Sequence, residues 1–298
     1  MTRSTARKLA PFDRLAVLGL GLLGGSVALA ARQRGVAKSV VGAGRGDAGL
    51  DAVGCHAWGD EVTTPKEAVR GADLVVLATP VNAMPGVIEE VASQLENGAL
   101  VTDVGSVKGA LADLLPGLLP PGVHYVGSHP MAGSHLRGRE HARADLFEGA
   151  GCAVTPLPDT EPAALARIVA FWEALGARVV LREPSLHDAH VAWISHLPHA
   201  LASAFAWALA KAPGGAGELA GAGFRDFTRI AQGDPKLWAD ILAANRKALA
   251  GPLQACGDAL AALSEAIEAG DAGAIENFLC AARASLSALA EARSESEG

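Results

Sequence analysis

A short apolar run, Arg14 to Leu18 (RLAVL), leads straight into Gly19-Leu20-Gly21-Leu22-Leu23-Gly24, and a helical stretch follows to about Arg34. Such a run, rich in Leu and Val, reads as a buried parallel strand. Strand, tight turn and helix in that order are the context in which G-x-G-x-x-G points to a dinucleotide. Gly19 allows the turn, Gly21 lets a pyrophosphate approach the backbone, and Gly24 lets the helix lie close on the strand. The first-turn N–H groups, around Leu22 and Leu23, then face the phosphates. A glycine-rich structural turn is the bland alternative; the flanking strand and helix favour the cofactor.

Leu15 to Ala31 carries no charge and follows Arg3, Arg7 and Lys8, so hydropathy alone would allow an export signal or a short span. The stretch is marginal in length and is broken by Gly19, Gly21, Gly24 and Gly25. A cytoplasmic protein that does not enter the membrane is expected. Four cysteines, Cys55, Cys152, Cys256 and Cys280, lie far apart, which suits free thiols and offers no metal cluster.

A second strand is expected over Ser39 to Gly42. NAD-preferring sites place an acid near its end to bond the ribose hydroxyls. Here the chain reads Gly42-Ala43-Gly44-Arg45. NAD and NADP both stay open, and the missing acid tilts the reading toward NADP. Arg45 fits a clamp on a 2′-phosphate and a solvated loop arginine equally well. Further short runs end in small or polar residues: Ala72 to Ala78 before Thr79-Pro80-Val81, Gly98 to Val101 before Asp103 and Ser106, and His124 to Gly127 before Ser128-His129-Pro130. Ligands sit at the carboxyl ends of parallel strands, so Thr79, Pro80 and Val81 join the cofactor candidates, and Ser106 and His129 become candidates for chemistry. Runs at Cys152 to Thr155 and Ala177 to Leu181 are expected to extend the same sheet.

From Pro184 onward only helical patterns appear. A long apolar helix should run from Ser185 through about Lys211, kinked at Pro198. A short helix spans Phe224 to Gln232, then Asp234-Pro235 starts one reaching about Ala250. Two Ala-rich helices follow, near Pro252 to Ala269 and Ala272 to Ala290. The fold class is therefore α/β: an N-terminal doubly wound (Rossmann) parallel sheet over 11–183, then an all-helical domain for substrate binding and dimerisation over 184–298.

With 25 Lys and Arg against 32 Asp and Glu, the net charge is −7, which argues against a nucleic-acid binder. A small molecule is the expected partner. His129 suits the proton transfer that must accompany hydride loss from a hydroxyl-bearing carbon, and Ser106 can orient that hydroxyl. His187, His190, His196 and His199 share one segment, with His196 and His199 on one face. Their spacing does not fit a zinc site. Arg229 can receive a carboxylate bidentately or form an ordinary salt bridge.

Taken together, GLGLLGGSVALA, DVGSVKGAL, GSHPMAGSHLRG, HDAHVAWISHLPHALASA and GFRDFTRIAQGDPKLWADI resemble the prephenate/arogenate dehydrogenase (TyrA) family of tyrosine biosynthesis. The resemblance implies NAD(P)-dependent oxidative decarboxylation of prephenate to 4-hydroxyphenylpyruvate. It implies that His129 accepts the ring hydroxyl proton with Ser106 as partner. Arg229 would bind the ring carboxylate, His199 would be a second active-site histidine, and Trp238 would line the cavity. His187, His196 and Asp226 fall on supporting positions. A homodimer through the C-terminal helices is expected, partly on this resemblance. Where some members carry an acid after SHPMAG, this chain has Ser134-His135-Leu136-Arg137, so Ser134 and His135 become candidates for reading the substrate side chain, with prephenate favoured. Alternatives are an arogenate or dual-substrate enzyme, another two-domain NAD(P) oxidoreductase, and a non-catalytic dinucleotide sensor.

Overall fold

The computed structural model describes residues 10–44, 61–132 and 138–297. The uncharged stretch resolves into strand β1 (Phe12–Leu18), a glycine turn and helix α1 (Leu22–Arg34). Among the described residues no helix is long and apolar enough to cross a membrane.

Six parallel strands form the first sheet: β1, β2 (Ala37–Ala43), β3 (Glu61–Thr63), β4 (Leu74–Leu77), β5 (Leu100–Asp103) and β6 (His124–Tyr125). Their order is β3-β2-β1-β4-β5-β6, so the winding reverses between β1 and β4. Ligands bind at that reversal in doubly wound sheets. Helices α1, α2 (Pro65–Ala68), α3 (Met84–Val91) and α4 (Gly109–Leu118) follow their strands. Alternation along the strands divides the core in two. Leu15, Val17, Leu74 and Val76 pack in one cluster, and Ala16, Leu18, Val75 and Leu77 in the other. Both faces are covered, as a parallel sheet requires.

The later strands do not extend this sheet. β7 (Gly127–Pro130), β8 (Gly151–Thr155) and β9 (Arg178–Leu181) make a separate three-stranded sheet, with β7 antiparallel to β8. The cause lies at the end of β5. Val126 N still donates to Val101 O, but Ser128 N donates to the Asp103 carboxylate at 3.3 Å, and Ser128 Oγ donates to Asp103 O at 2.6 Å. Side chains replace the ladder there, and the chain turns away to pair with β8. Helix α5 (Pro162–Ala174) joins β8 to β9.

The helical segment begins with α6 (Pro184–Val191) and α7 (Leu197–Ala208). Between them Ala192–His196 forms a π-helical turn rather than a plain kink. Pro198 has no N–H to give to a carbonyl four residues back, and a wider turn ahead of it relieves that clash. Then come α8 (Ala222–Arg229), α9 (Pro235–Ala244), α10 (Arg246–Glu268) and α11 (Ala272–Glu297). Asp234 caps α9 by accepting from Leu237 N, 2.7 Å away. α9 stops earlier than its pattern suggests because Asn245 turns its amide inward, to Asp188 O and to His196. Pro252 consequently sits within α10 rather than starting a helix.

The chain divides into compact units Met1–Arg246 and Lys247–Gly298. The change from mixed to helical structure near residue 184 is thus not a break in packing. Hydrogen bonds from α6 into β7 and α4 explain why, and they build the site.

Candidate active site

The glycine turn has the form that the motif demands. Gly19 sits at φ +106°, and a Cβ there would lie 2.7 Å from Ala78 O. A Cβ on Gly24 would lie 1.8 Å from Gly19 O, so the close approach of helix to turn admits only glycine. Around Gly21 the space is open. Leu20 packs on β2, where a Cβ on Gly42 would meet it at 2.8 Å. No side chain caps the N-terminus of α1, which leaves its first N–H groups, around Leu22 and Leu23, to receive an anion. Thr79, at the end of β4, holds a buried Oγ1 with no hydrogen-bond partner among the described residues. Pro80 is exposed, and Val81 packs in one cluster with Ile241 and Trp238 of α9. These residues fit a dinucleotide: an open glycine cradle, a free helix N-terminus and an orphaned hydroxyl. Arg45 lies outside the described residues.

Beside this cradle, β7 carries His129 on a rigid base. Asp103, wholly buried, accepts from Gly105 N at 2.7 Å and Tyr125 OH at 2.8 Å, and is ion-paired with Lys108. Lys108 Nζ also donates to Ser128 O at 2.8 Å. Ser128 Oγ, whose one proton goes to Asp103 O, accepts from Trp172 Nε1 at 2.9 Å and from Thr102 Oγ1 at 2.7 Å. Burial pushes the Lys108 ammonium down, and the Asp103 charge opposes it. Every polar atom named here has a partner, so the strand holding His129 is fixed on one side.

From the helical side, α6 supplies His187 and Asp188. His129 Nδ1 lies 2.9 Å from His187 Nε2, and His187 Nδ1 lies 2.8 Å from Asp188 Oδ1. The Asp188 carboxylate also accepts from Lys108 N at 2.7 Å and Gly109 N at 2.8 Å, capping α4 from another element. Asn245 Nδ2 donates to Asp188 O at 3.0 Å and to His196 Nδ1 at 2.9 Å. His196 meets Trp238 edge-on, and His199 stacks flat on Trp238 with centroids 3.5 Å apart. One unbroken series of contacts therefore joins His129 to His199 and Trp238. Burial, with His187, Lys108 and His196 adding repulsion, drives the His129 imidazole well below its ordinary range. Burial lowers His196 to about 4 and also lowers His199. All three rings are neutral at pH 7, and His199 Nδ1 is buried without a partner among the described residues.

Residues 27–181 match the family model for the prephenate dehydrogenase nucleotide-binding domain, and residues 183–280 match the prephenate dehydrogenase dimerization domain. The chain belongs to the prephenate dehydrogenase family. One relative is a prephenate dehydrogenase of Bacillus subtilis, 35% identical over 78% of this chain and 64% of the relative. Another is the cyclohexadienyl dehydrogenase of Zymomonas mobilis, 35% identical over 80% of this chain and 83% of the relative. The crystal structure of prephenate dehydrogenase from A. aeolicus, in complex with hydroxyphenyl propionate and NAD+, is similar at TM-score 0.86 and 29% identity, covering 95% of this chain and 100% of that one. The chain thus spans slightly less than two thirds of the Bacillus relative.

In this prephenate dehydrogenase family member, the structure joins His129, His187, His196, His199 and Trp238. Ser106 follows β5 half-buried, with no side-chain hydrogen bond to a described residue. Arg229 ends α8 with its side chain exposed, and Asp226 is exposed on the same helix. α8 is tied to the His199 helix by Phe224 and Phe227 against Phe205. Ser134 and His135 lie outside the described residues. Sequence reasoning missed Asp188, Asn245 and the Asp103–Lys108 pair. The DVGSVK and HDAH segments contain three of these four; Asp188 and Asn245 take their meaning from distant partners, and the Asp103–Lys108 pair, only five residues apart, from a burial that the segment does not announce.

Proposed function

We propose that this chain is a prephenate dehydrogenase, converting prephenate to 4-hydroxyphenylpyruvate and CO2 with a nicotinamide dinucleotide, NADP in preference to NAD. The observation that carries the reading is a neutral, half-buried imidazole, His129, on the strand after β6, joined through His187, Asp188, Asn245, His196 and Trp238 to a second neutral imidazole, His199, whose Nδ1 is buried without a partner among the described residues. The bound nicotinamide supplies the acceptor for the hydride leaving the hydroxyl-bearing ring carbon. His129 takes the hydroxyl proton as that hydride departs, leaving a ring carbonyl. The C–C bond to the ring carboxylate then breaks, its electron pair aromatises the ring, and the proton returns to the same oxygen. A base at this position contributes on the order of 10²–10⁴ in rate. Ser106 orients the hydroxyl and His199 binds the substrate against Trp238. Arg229 holds the ring carboxylate for orientation without over-stabilising a charge that disappears in the transition state. Ser134 and His135 read the side chain. The absence of an acid in Gly42-Ala43-Gly44-Arg45 supports the NADP preference.

The second copy of the chain is part of the reading. Leu260, Ile267, Leu279, Leu286 and Leu289 of the last two helices are exposed, and the dimerization match reaches residue 280. Contiguous apolar stripes of this kind mark interfaces. The division of labour follows: 11–183 for the cofactor, 184–298 for substrate binding and dimerisation.

Initial rates for prephenate and arogenate, each with NAD and with NADP, followed at the reduced-nicotinamide band, test the proposal. Prephenate with NADP should give the highest kcat/KM. A clear arogenate preference overturns the substrate assignment, and turnover with neither overturns the enzyme reading in favour of a dinucleotide sensor. His129→Asn should cost at least about 10²-fold in kcat while cofactor affinity stays near wild type.

A further inference from the structure

We propose that His187 and Asp188 are positioning residues that fix which nitrogen of His129 bears its proton, leaving Nε2 as the base; this rests on the reading of His129 as the proton acceptor. Asp188 anchors the device. Its two oxygens accept from Lys108 N and Gly109 N, at 2.7 and 2.8 Å. Backbone amides can only donate, so Asp188 is held in place as an acceptor. The His187 nitrogen facing it, Nδ1 at 2.8 Å, must then carry a proton. When the imidazole carries that one proton only, His187 Nε2 presents a lone pair. That lone pair faces His129 Nδ1 at 2.9 Å, which must donate. His129 then has its proton on Nδ1 and a lone pair on Nε2. The other tautomer would place the proton on Nε2 and leave no acceptor for the substrate hydroxyl.

His187 is 3% exposed, so water does not substitute for its partners. When His129 Nε2 takes the substrate proton, the ring becomes an imidazolium whose Nδ1–H already points at an acceptor. No proton needs to travel on to Asp188. A third group that orients the base is the same logic that a carboxylate supplies behind a catalytic histidine in hydrolases.

Full-length protein labelled with 15N-histidine, studied without cofactor or substrate, shows the tautomers directly in two-bond 1H–15N spectra. His129 and His187 should both be in the Nδ1–H form, with signals assigned through His129→Asn and His187→Gln. His129 in the Nε2–H form overturns the proposal. Kinetics supply the second arm. His187→Leu removes the acceptor and should lower kcat at least about ten-fold with KM changed less than about three-fold. In His187→Gln the amide oxygen can accept from Nδ1–H, and most of kcat should return. Equal losses in the Leu and Gln variants overturn the proposal. The tautomer measurement needs no turnover, so it stands even if His187→Leu fails to fold. A wild-type chain inactive on prephenate overturns the functional reading instead, and the spectra still report on the relay alone.

Discussion

Up to Arg246, Leu15, Val17, Leu74 and Val76 are wholly buried, and Asp103 and Lys108 are buried with them, each fully partnered. Beyond Arg246 the pattern inverts. Leu279, Leu286 and Leu289 are 57%, 70% and 65% exposed, and only Leu249 and Pro252 of α10 are buried. In α11, Leu279, Leu286 and Leu289 recur at helical intervals, so their exposure is a stripe rather than scatter. The sheet closes its core around charged groups, whereas the last two helices carry exposed leucines along their length, as do Trp193, Trp207 and Leu219 in the helical segment before Arg246. The sheet region should therefore be sensitive to substitutions inside it, and the last helices to the presence of a second copy.

The largest expected effect lies in the buried ion pair. Lys108→Met leaves the Asp103 carboxylate buried without its cation and should destabilise the chain by about 3–5 kcal/mol. Urea unfolding followed by tryptophan fluorescence measures it, since Trp172 lies against Ser128 in the same network. A loss under about 1 kcal/mol would mean that this polar core is not closed, and the contrast with the last helices would weaken.

Acid should act next, again on one region only. The neutral His129, His196 and His199 all lie before Arg246, and residues 247–298 contain no histidine. Their folded values lie below the ordinary 6.5, so the unfolded chain takes up protons first. Stability is full above pH 6.5 and declines as pH falls toward the value of about 4 for His196. Tm should drop by several degrees between pH 7 and 5, and His196→Gln should flatten that slope. A Tm independent of pH over this interval contradicts the neutral assignment.

Local features were legible in the sequence, and non-local ones were not. The glycine turn could be read because Gly19 and Gly24 meet each other within six residues, and the Asp234 cap because it acts three residues away. The Pro198 distortion was legible as a kink, though not as a π-turn. The second sheet could not be read, because Ser128 and Asp103 interrupt the ladder across 25 residues. Asp188 and Asn245 look like ordinary helix residues until the fold brings Lys108 N and His196 to them, across 80 and 49 residues. His129 was singled out by its place after a strand and by its chemistry, and His199 through family resemblance, but the relay behind His129 is set by distances that no spacing encodes.

The smallest change in folding energy should accompany the largest change in mass. Leu279→Ser with Leu286→Ser alters exposed positions, so chain stability should move by only about 0.5 kcal/mol at each site. If the stripe on α11 is where a second copy docks, the same pair of changes should convert a dimer by light scattering into a single chain of about 30 kDa at micromolar concentration. Wild-type Tm should rise with protein concentration, and the double variant's should not, because only a coupled dimer gains stability by mass action. A wild-type chain that scatters as a monomer would remove the partner from the account. The exposed leucines of α11 would then be surface without a function, and the two regions would differ in burial alone.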